Sequence, residues 1–470
     1  MDDWLTTILI LLPLAAALVV WLLPWSTQAA GSLALLAALA EVGVWINALT
    51  RFEFAGRLQF EQQETWFDDL GVSYHVGLDG LALWLIGMTV VVMAVAIAYA
   101  FWAGRDRPRA YFGLMLFLTG AVVGVFSARD LLVFYVFFEA MLIPLYVLVG
   151  VWGGAGRLTA TIKFVIYTMA GSLLMLAAIV VWGVQRGSFD LTGGPQSDND
   201  WLFLGLLAAF AVKAPLFPLH GWLPDAYRES SPEVAAVLSG VVSKAAGYGF
   251  LAIAVAQFPG PANDLQPLVL ALASVGLVYG SLVAFRAPDV RGVIAYSSLA
   301  QMSLITLGVF ALNDLGSTGA VLQMVNHGLV SASLFLLAGV IERRAATGEL
   351  VRLGGMARGR PALATLLMTV GVITLAVPGS TAFAGEFLIL AGAFDQGWGW
   401  AVVGGIAIVL AAMYTLRLIS AVLHGQVGTS VPDEALDLRP AELAVVVPLV
   451  GCLLALSAWP AAITDHLTLL

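Results

Sequence analysis

The sequence predicts an all-α integral membrane protein of about fourteen transmembrane helices, with two inverted five-helix repeats that each contain a broken helix. Three observations carry this. The 470 residues are 60% hydrophobic and only 11% charged, with a mean hydropathy of +0.95, whereas a soluble domain carries about 25% charged residues. The apolar runs are continuous rather than alternating, which excludes a membrane β-barrel. Two runs are interrupted by proline beside a charge: Lys213-Ala-Pro-Leu-Phe-Pro-Leu-His220-Gly-Trp-Leu-Pro-Asp225, and Pro378-Gly379 with Glu386 beyond it.

In chain order, the first span covers about residues 4–23. It follows Asp2 and Asp3 with no basic segment ahead of it, so it reads as a retained helix rather than a cleaved signal. The second covers about 29–49, and a polar segment, 50–79, could pair Gly56–Phe60 with Ser73–Val76 as a short hairpin. Spans three to six cover about 80–102, 110–127, 131–151 and 161–184. The seventh, about 201–228, is the broken one. Its apolar run ahead of Lys213 is about a dozen residues, short of the ~20 needed to cross. Pro215, Pro218 and Pro224 each remove a backbone donor and disfavour helix at the preceding residue. Spans eight to eleven cover about 233–257, 266–285, 291–311 and 316–341. The twelfth, about 361–392, contains the second break, and the last two cover about 398–422 and 441–461.

Charge placement supports this count. With the acidic N-terminus outside, fourteen of the basic residues fall in cytoplasmic loops, including Arg105, Arg107, Arg109, Arg343, Arg344, Arg352, Arg358 and Arg360. Four fall outside: Arg51, Arg57, Arg129 and Arg186. This is the positive-inside bias, and it places both termini on the outer side. The broken helices are five spans apart, an odd number, so the units that contain them have opposite orientation. The chain divides into 1–109 (helices 1–3 with the outer polar loop), 110–257 (first repeat, helices 4–8), 258–425 (second repeat, helices 9–13) and 426–470 (helix 14).

Several chemistries are excluded. A net charge of −9 is no nucleic-acid signature, and the single cysteine, Cys452, can form neither an internal disulfide nor a four-cysteine iron–sulfur site. No GxxxxGK[ST], HExxH or dinucleotide fingerprint occurs.

What remains is a set of titratable residues at membrane depth: Glu139, Lys213, Lys244, His327 and Glu386. A charge at the bilayer centre costs ~3 kcal/mol on insertion scales, so each needs a partner or water. Glu139 lies mid-span, and Lys213 is its candidate counter-charge. A static buried pair is a poor source of stability, because desolvation offsets most of the attraction. Lys244 sits among small residues that leave room for water, and no acidic residue is near it in sequence; desolvation there disfavours its charged form. His327 stands in a polar neighbourhood of Gln323, Asn326, Ser331 and Ser333, where the alternative to a conducting role is a hydrogen-bonded core histidine. Glu386 follows the second break beside Gly385. Such a series of acids and bases, with no metal or cofactor, suits proton relay. His220, just past the first break, either lines a water path or caps the broken segment. Glu41 in helix 2 is expected to face a neighbouring subunit or tilt toward the headgroups, and Arg417 near the end of helix 13 is expected to snorkel.

At Phe138-Glu139-Ala140-Met141-Leu142-Ile143-Pro144, Lys213 to Ala226, Lys244, His327-Gly328-Leu329-Val330-Ser331-Ala332 and Gly385-Glu386-Phe387, the chain resembles the antiporter-like subunits of respiratory complex I (NADH:quinone oxidoreductase). It resembles the M type among them, because the L-type, N-type and Mrp-type relatives usually carry lysine where Glu386 stands. The resemblance implies a proton channel in the bacterial cytoplasmic membrane. In it Glu139 and Lys213 act as a pair, Lys244 and His327 as a central relay, and Glu386 toward the exit. It implies no cofactor in this chain; FMN, iron–sulfur clusters and quinone belong to partner subunits. Those partners include L-like and N-like antiporter-like chains. One departure stands out: the family commonly has histidine where this chain has Gln301, so water must bridge that position if it lies on the route. The chain is also short for the type, which implies trimmed loops. The competing readings are an Mrp-type sodium/proton antiporter subunit and a non-conducting scaffold of a hydrogenase-like complex.

Overall fold

The architecture was obtained as a computed structural model that describes residues 4–54, 58–432, 434 and 436–467. Asp2, Asp3, Gly56, Arg57 and Leu470 therefore lie outside the described residues. The chain opens with α1 (Leu5–Leu22) and α2 (Thr27–Arg51), then a hairpin of β1 (Gln59–Phe67) and β2 (Val72–Leu78). Next come α3 (Gly80–Ala103), α4 (Pro108–Ser127), α5 (Leu131–Ala140), α6 (Leu142–Trp152) and α7 (Arg157–Arg186). The centre holds α8 (Asp200–Lys213), α9 (Leu223–Glu229), α10 (Pro232–Val237), α11 (Lys244–Tyr248), α12 (Pro259–Arg286) and α13 (Val290–Val309). The chain closes with α14 (Asp314–Ala345), α15 (Pro361–Thr374), α16 (Thr381–Asp395), α17 (Trp398–Leu423), α18 (Pro440–Ala458) and α19 (Ala461–Thr464).

Among the described residues, twelve helices are long and apolar enough to cross a membrane. One of these joins α5 to α6 across a turn at Met141, and another, Pro232–Val255, joins α10 to α11 through π-helical turns at Leu238–Val242 and Gly249–Val255. The two runs read as broken appear as pairs of short helices, α8 with α9 and α15 with α16.

Burial follows composition. A helix that is apolar all round belongs inside a bundle; α14 is buried along its whole apolar length and packs on α3, α10, α13, α16 and α18. Around it, α2, α7 and α17 expose apolar residues such as Leu36, Leu173 and Val409, as a lipid-facing helix must.

The first break satisfies its own backbone. Trp222 donates its indole N–H to the carbonyl of Val212, 2.9 Å, a group that proline-interrupted helix leaves free. The second break has Gly379 at φ +96°, open to glycine and strained for other residues, and Ser380 caps α16 by accepting from the N–H of Phe383.

Three expectations need correction. The hairpin forms, but β1 runs later than Gly56–Phe60: Gln62 faces Val76 and Gln63 faces His75 in antiparallel register. Glu41 points inward rather than toward a neighbour or the headgroups; it is 1% exposed, and neither carboxylate oxygen has a partner among the described residues. Arg417 does more than snorkel, since it donates to the carbonyl of Ala287 at the end of α12, 2.9 Å, meeting an acceptor that a helix C-terminus leaves unpaired.

Candidate functional site

The core of the site is where α11, α13, α14 and α16 meet. Lys244 begins α11, just past a π-helical turn, and is fully buried. Its ammonium lies 2.6 Å from the carbonyl of Ser239, 3.3 Å from the Ser243 hydroxyl and 2.8 Å from His327 Nδ1. A π-turn widens the helix and releases carbonyls from the regular ladder, which explains why the Ser239 carbonyl can accept from a side chain. The close approach of the two helices needs glycine on both: a Cβ on Gly240 would fall 2.8 Å from the Gly328 carbonyl, and one on Gly328 would fall 2.7 Å from the Gly240 carbonyl. Gly328 neighbours His327, so the same contact that permits the approach sets the imidazole beside the amine.

On its other side, His327 Nε2 lies 3.2 Å from the Ser298 hydroxyl. Ser298 and Ser331 both reach the hydroxyl of Ser239, at 2.6 and 2.5 Å, and Tyr227 Oη is buried beside Ser239. Hydroxyl groups donate and accept at once, so this cluster links the histidine to Ser239 without a charged group, while Tyr227 Oη on α9 has no partner in hydrogen-bond geometry among the described residues.

A second chain leads to Glu386, 2% exposed on α16. Gln301 donates to its Oε1 at 3.1 Å; Gln323 donates to the Gln301 carbonyl at 2.7 Å; Asn326 donates to the Gln323 carbonyl at 3.2 Å. Gly385 permits this, because a Cβ there would lie 2.8 Å from Gln323 Oε1. Between the two chains lies a cavity lined by Ser298, Gln301, Gln323, Asn326, His327 and Tyr414. Its volume of about 20 Å³ admits one water molecule, which needs about 10–15 Å³ on this measure and two to four polar partners. Asn326 Oδ1 and Tyr414 Oη are buried there without a partner in hydrogen-bond geometry, and Glu386 Oε2 is likewise unpaired.

Glu139 and Lys213 stand apart from this centre. The Lys213 ammonium sits 4.1 Å from the centroid of the Phe138 ring and 3.5 Å from the Phe138 carbonyl. Among the described residues no ion pair joins it to Glu139, which is half-buried near the end of α5. The expected direct pair is replaced by a cation–π contact. Phe134, Phe138, Phe210 and Tyr248 pack between the turn that carries Lys213 and the turn that carries Lys244. His220 is half-buried against Phe217 and Tyr279, ring centroids 5.6 and 5.0 Å away, with Nδ1 unpaired. It is not in the hydrogen-bonded chains around Lys244.

Ser239, Ser298, Tyr227 and Tyr414 escaped the sequence reading. Serine hydroxyls in membrane helices usually bond the carbonyl one turn back, as Ser281 and Ser303 do here, so nothing in the sequence separates Ser239 and Ser298 from such serines, or the two tyrosines from packed aromatic rings.

A profile of the NADH:quinone oxidoreductase/Mrp antiporter transmembrane family matches residues 128–411, which contain every residue of the set. The chain belongs to this family. It is 37% identical to NADH-quinone oxidoreductase subunit M of Rhodobacter capsulatus over 488 aligned positions, covering 98% of this chain and 94% of that protein. Its fold is similar to that of a chain in respiratory complex I from Thermus thermophilus with bound NADH, at a TM-score of 0.90 and 31% identity, covering 98% of both. A chain of the Mrp complex from Dietzia sp. DQ12-45-1b shares the fold at a TM-score of 0.89 and 22% identity, covering 99% of this chain and 97% of that one.

Proposed function

We propose that the chain is a proton-translocating membrane-arm subunit of an NADH:quinone oxidoreductase, beside other antiporter-like subunits, with the redox chemistry in its partners. The observation that carries this reading is the buried Lys244–His327 pair, held among hydroxyls and amides that continue through Gln301 to Glu386. A proton-exchanging amine and imidazole placed 2.8 Å apart, without a buried carboxylate to immobilise the charge, suit transfer better than static packing.

The proton route runs through Glu139, Lys213, Lys244, His327 and Glu386, with His220 beside the first break. The Lys213 ammonium answers to the charge on Glu139 across a short gap, and the amide of Gln301 orients the Glu386 carboxyl. Because an amide carries no charge at neutral pH, the water-sized cavity beside Gln301 and Tyr414 supplies the transfer step at that point. Helices 4–8 and 9–13 form two inverted units around this line, and both termini lie outside, a placement supported by the arginine bias.

The test is proton translocation by the assembled complex with the route blocked at Lys244. Quinone reduction with an unchanged proton-to-electron ratio would refute conduction through this chain. Translocation that depends on sodium, in a complex without flavin or iron–sulfur subunits, would favour the Mrp-type alternative.

A further inference from the structure

A cavity of about 410 Å³ opens at the arginine-rich face, away from the relay, lined by Trp102, Arg343, Arg344, Arg360, Arg439 and Leu436 together with Pro432, Glu434 and Glu442. It lies where α3 and α14 end and α15 and α18 begin, at the boundary between the apolar helices and their polar loops. Four guanidinium groups face two carboxylates. One of these, Glu442, is already committed: both its oxygens accept from Arg344, at 2.8 and 2.7 Å, and Oε2 also accepts from the backbone N–H of Arg439 at 2.6 Å.

Among the described residues, no ion pair neutralises the other three arginines. Arg360 is 3% exposed and donates to the carbonyls of Arg358, Pro432 and Glu434, which shapes the wall, but its Nε has no partner among the described residues. A buried guanidinium N–H without an acceptor costs free energy, so this donor asks for an anion. Arg343 sits over the Trp102 ring, 4.5 Å from its centroid, and donates to the carbonyl of Ala103 at 3.3 Å. Among the described residues no carboxylate pairs with Arg343 or Arg439; Asp433 lies outside them. Leu436, 51% exposed, and the Trp102 ring add an apolar shoulder.

We propose that this cavity binds the phosphodiester of an anionic lipid, with the headgroup among Arg343, Arg360 and Arg439 and the acyl chains along Trp102 and Leu436. Guanidinium forks match phosphate oxygens in geometry and charge, and basic pockets between membrane helices on the loop side suit anionic headgroups. The apolar shoulder distinguishes a lipid from free phosphate, which would gain nothing from Leu436.

The experiment uses the intact complex, stripped of lipid in mild detergent and exposed to photoactivatable phosphatidylglycerol. Labelled peptides from this chain are then mapped by mass spectrometry. Label should appear in the segments carrying Trp102, Arg343 and Leu436. R343Q with R439Q should lower it by about tenfold or more, the scale expected for two arginines at an anionic surface. R343K with R439K, which keeps the charge without the fork, should retain more label than the glutamine pair, showing that the fold tolerates change there. Equal labelling by photoactivatable phosphatidylcholine, or no loss in the glutamine double variant, would overturn the proposal. Displacement of the label by excess inorganic phosphate would also overturn it, by showing a free-anion site.

Discussion

Lys244 Nζ and His327 Nδ1 are 2.8 Å apart, both buried, and among the described residues no carboxylate bonds to either. Two full positive charges at that distance would repel by roughly 6 kcal/mol at an effective dielectric of about 20. The pair therefore holds at most one excess proton. When the lysine holds it, Nδ1 accepts and the imidazole presents Nε2–H to Ser298. We predict that Lys244→Arg, which keeps the charge and cannot release its proton, gives an assembled complex whose proton-to-electron ratio falls. An unchanged ratio would take Lys244 off the route.

Gln301 joins Glu386 to Gln323 through its two amide atoms. Gln301→Leu leaves both partners buried with an unmet hydrogen bond, at about 1–3 kcal/mol each. Translocation should drop by about tenfold or more on the scale of 1.4 kcal/mol per decade, with assembly retained. Gln301→His restores a group that donates and accepts and should translocate normally. If the leucine variant matches the parent in proton uptake by reconstituted vesicles, the amide chain is structural only.

Glu139 and Lys213 form no ion pair among the described residues, and Lys213 rests on the Phe138 ring. We predict that Glu139→Gln and Lys213→Met each bring translocation close to background, because one member of the couple no longer titrates. Lys213 is buried, so each variant must be checked for assembly. The double variant decides between roles. A functional couple stays blocked in it, whereas normal translocation would show that the pair serves only packing.

Outside the membrane, His75 on β2 is clasped by two carboxylates: Nδ1 lies 2.8 Å from Asp190 Oδ2 and Nε2 lies 2.7 Å from Glu61 Oε1, with Asp130 close by Asp190. Burial pushes the imidazole down, but the hydrogen bonds and charges of Asp190 and Glu61 outweigh it and leave it above its ordinary value of 6.5. Burial raises Asp190, and its bonds to His75 and Thr192 bring it down to about 2. A raised histidine contributes stability that is complete below about 6.5 and is lost as pH rises through its folded value. The Asp190 contribution is present above 3.8 and is lost as pH falls toward about 2. Amide hydrogen exchange in the hairpin should therefore speed up above neutral pH by more than the intrinsic rate, and His75→Leu should abolish that excess. An excess that persists in His75→Leu would assign it to another group.

Much of the plan was legible from single residues. The bilayer permits few charges and few prolines in a span, so Lys213, Lys244, Glu386 and the breaks at Pro215 and Pro378 stood out on composition alone. Inside a uniformly apolar background each departure is informative, which is rarely so in a soluble domain. The hairpin was legible in kind but not in register, because the residues of β1 are mostly exposed and their alternation is weak.

The sequence by itself determined a polytopic helical chain, the position of its two breaks and the presence of Lys213, Lys244, His327 and Glu386 within apolar runs, because transfer free energy acts on each residue separately. Only the tertiary structure decided which of them meet. It set Lys244 beside His327 through the Gly240–Gly328 crossing, drew Ser239, Ser298 and Gln301 into the chains around them, turned Glu41 inward, and put the ring of Phe138, rather than the Glu139 carboxylate, against Lys213. Those outcomes depend on the rotation and spacing of helices far apart in sequence, and a shift of about 100° around one helix, a single residue of its 3.6-residue turn, exchanges one partner for another.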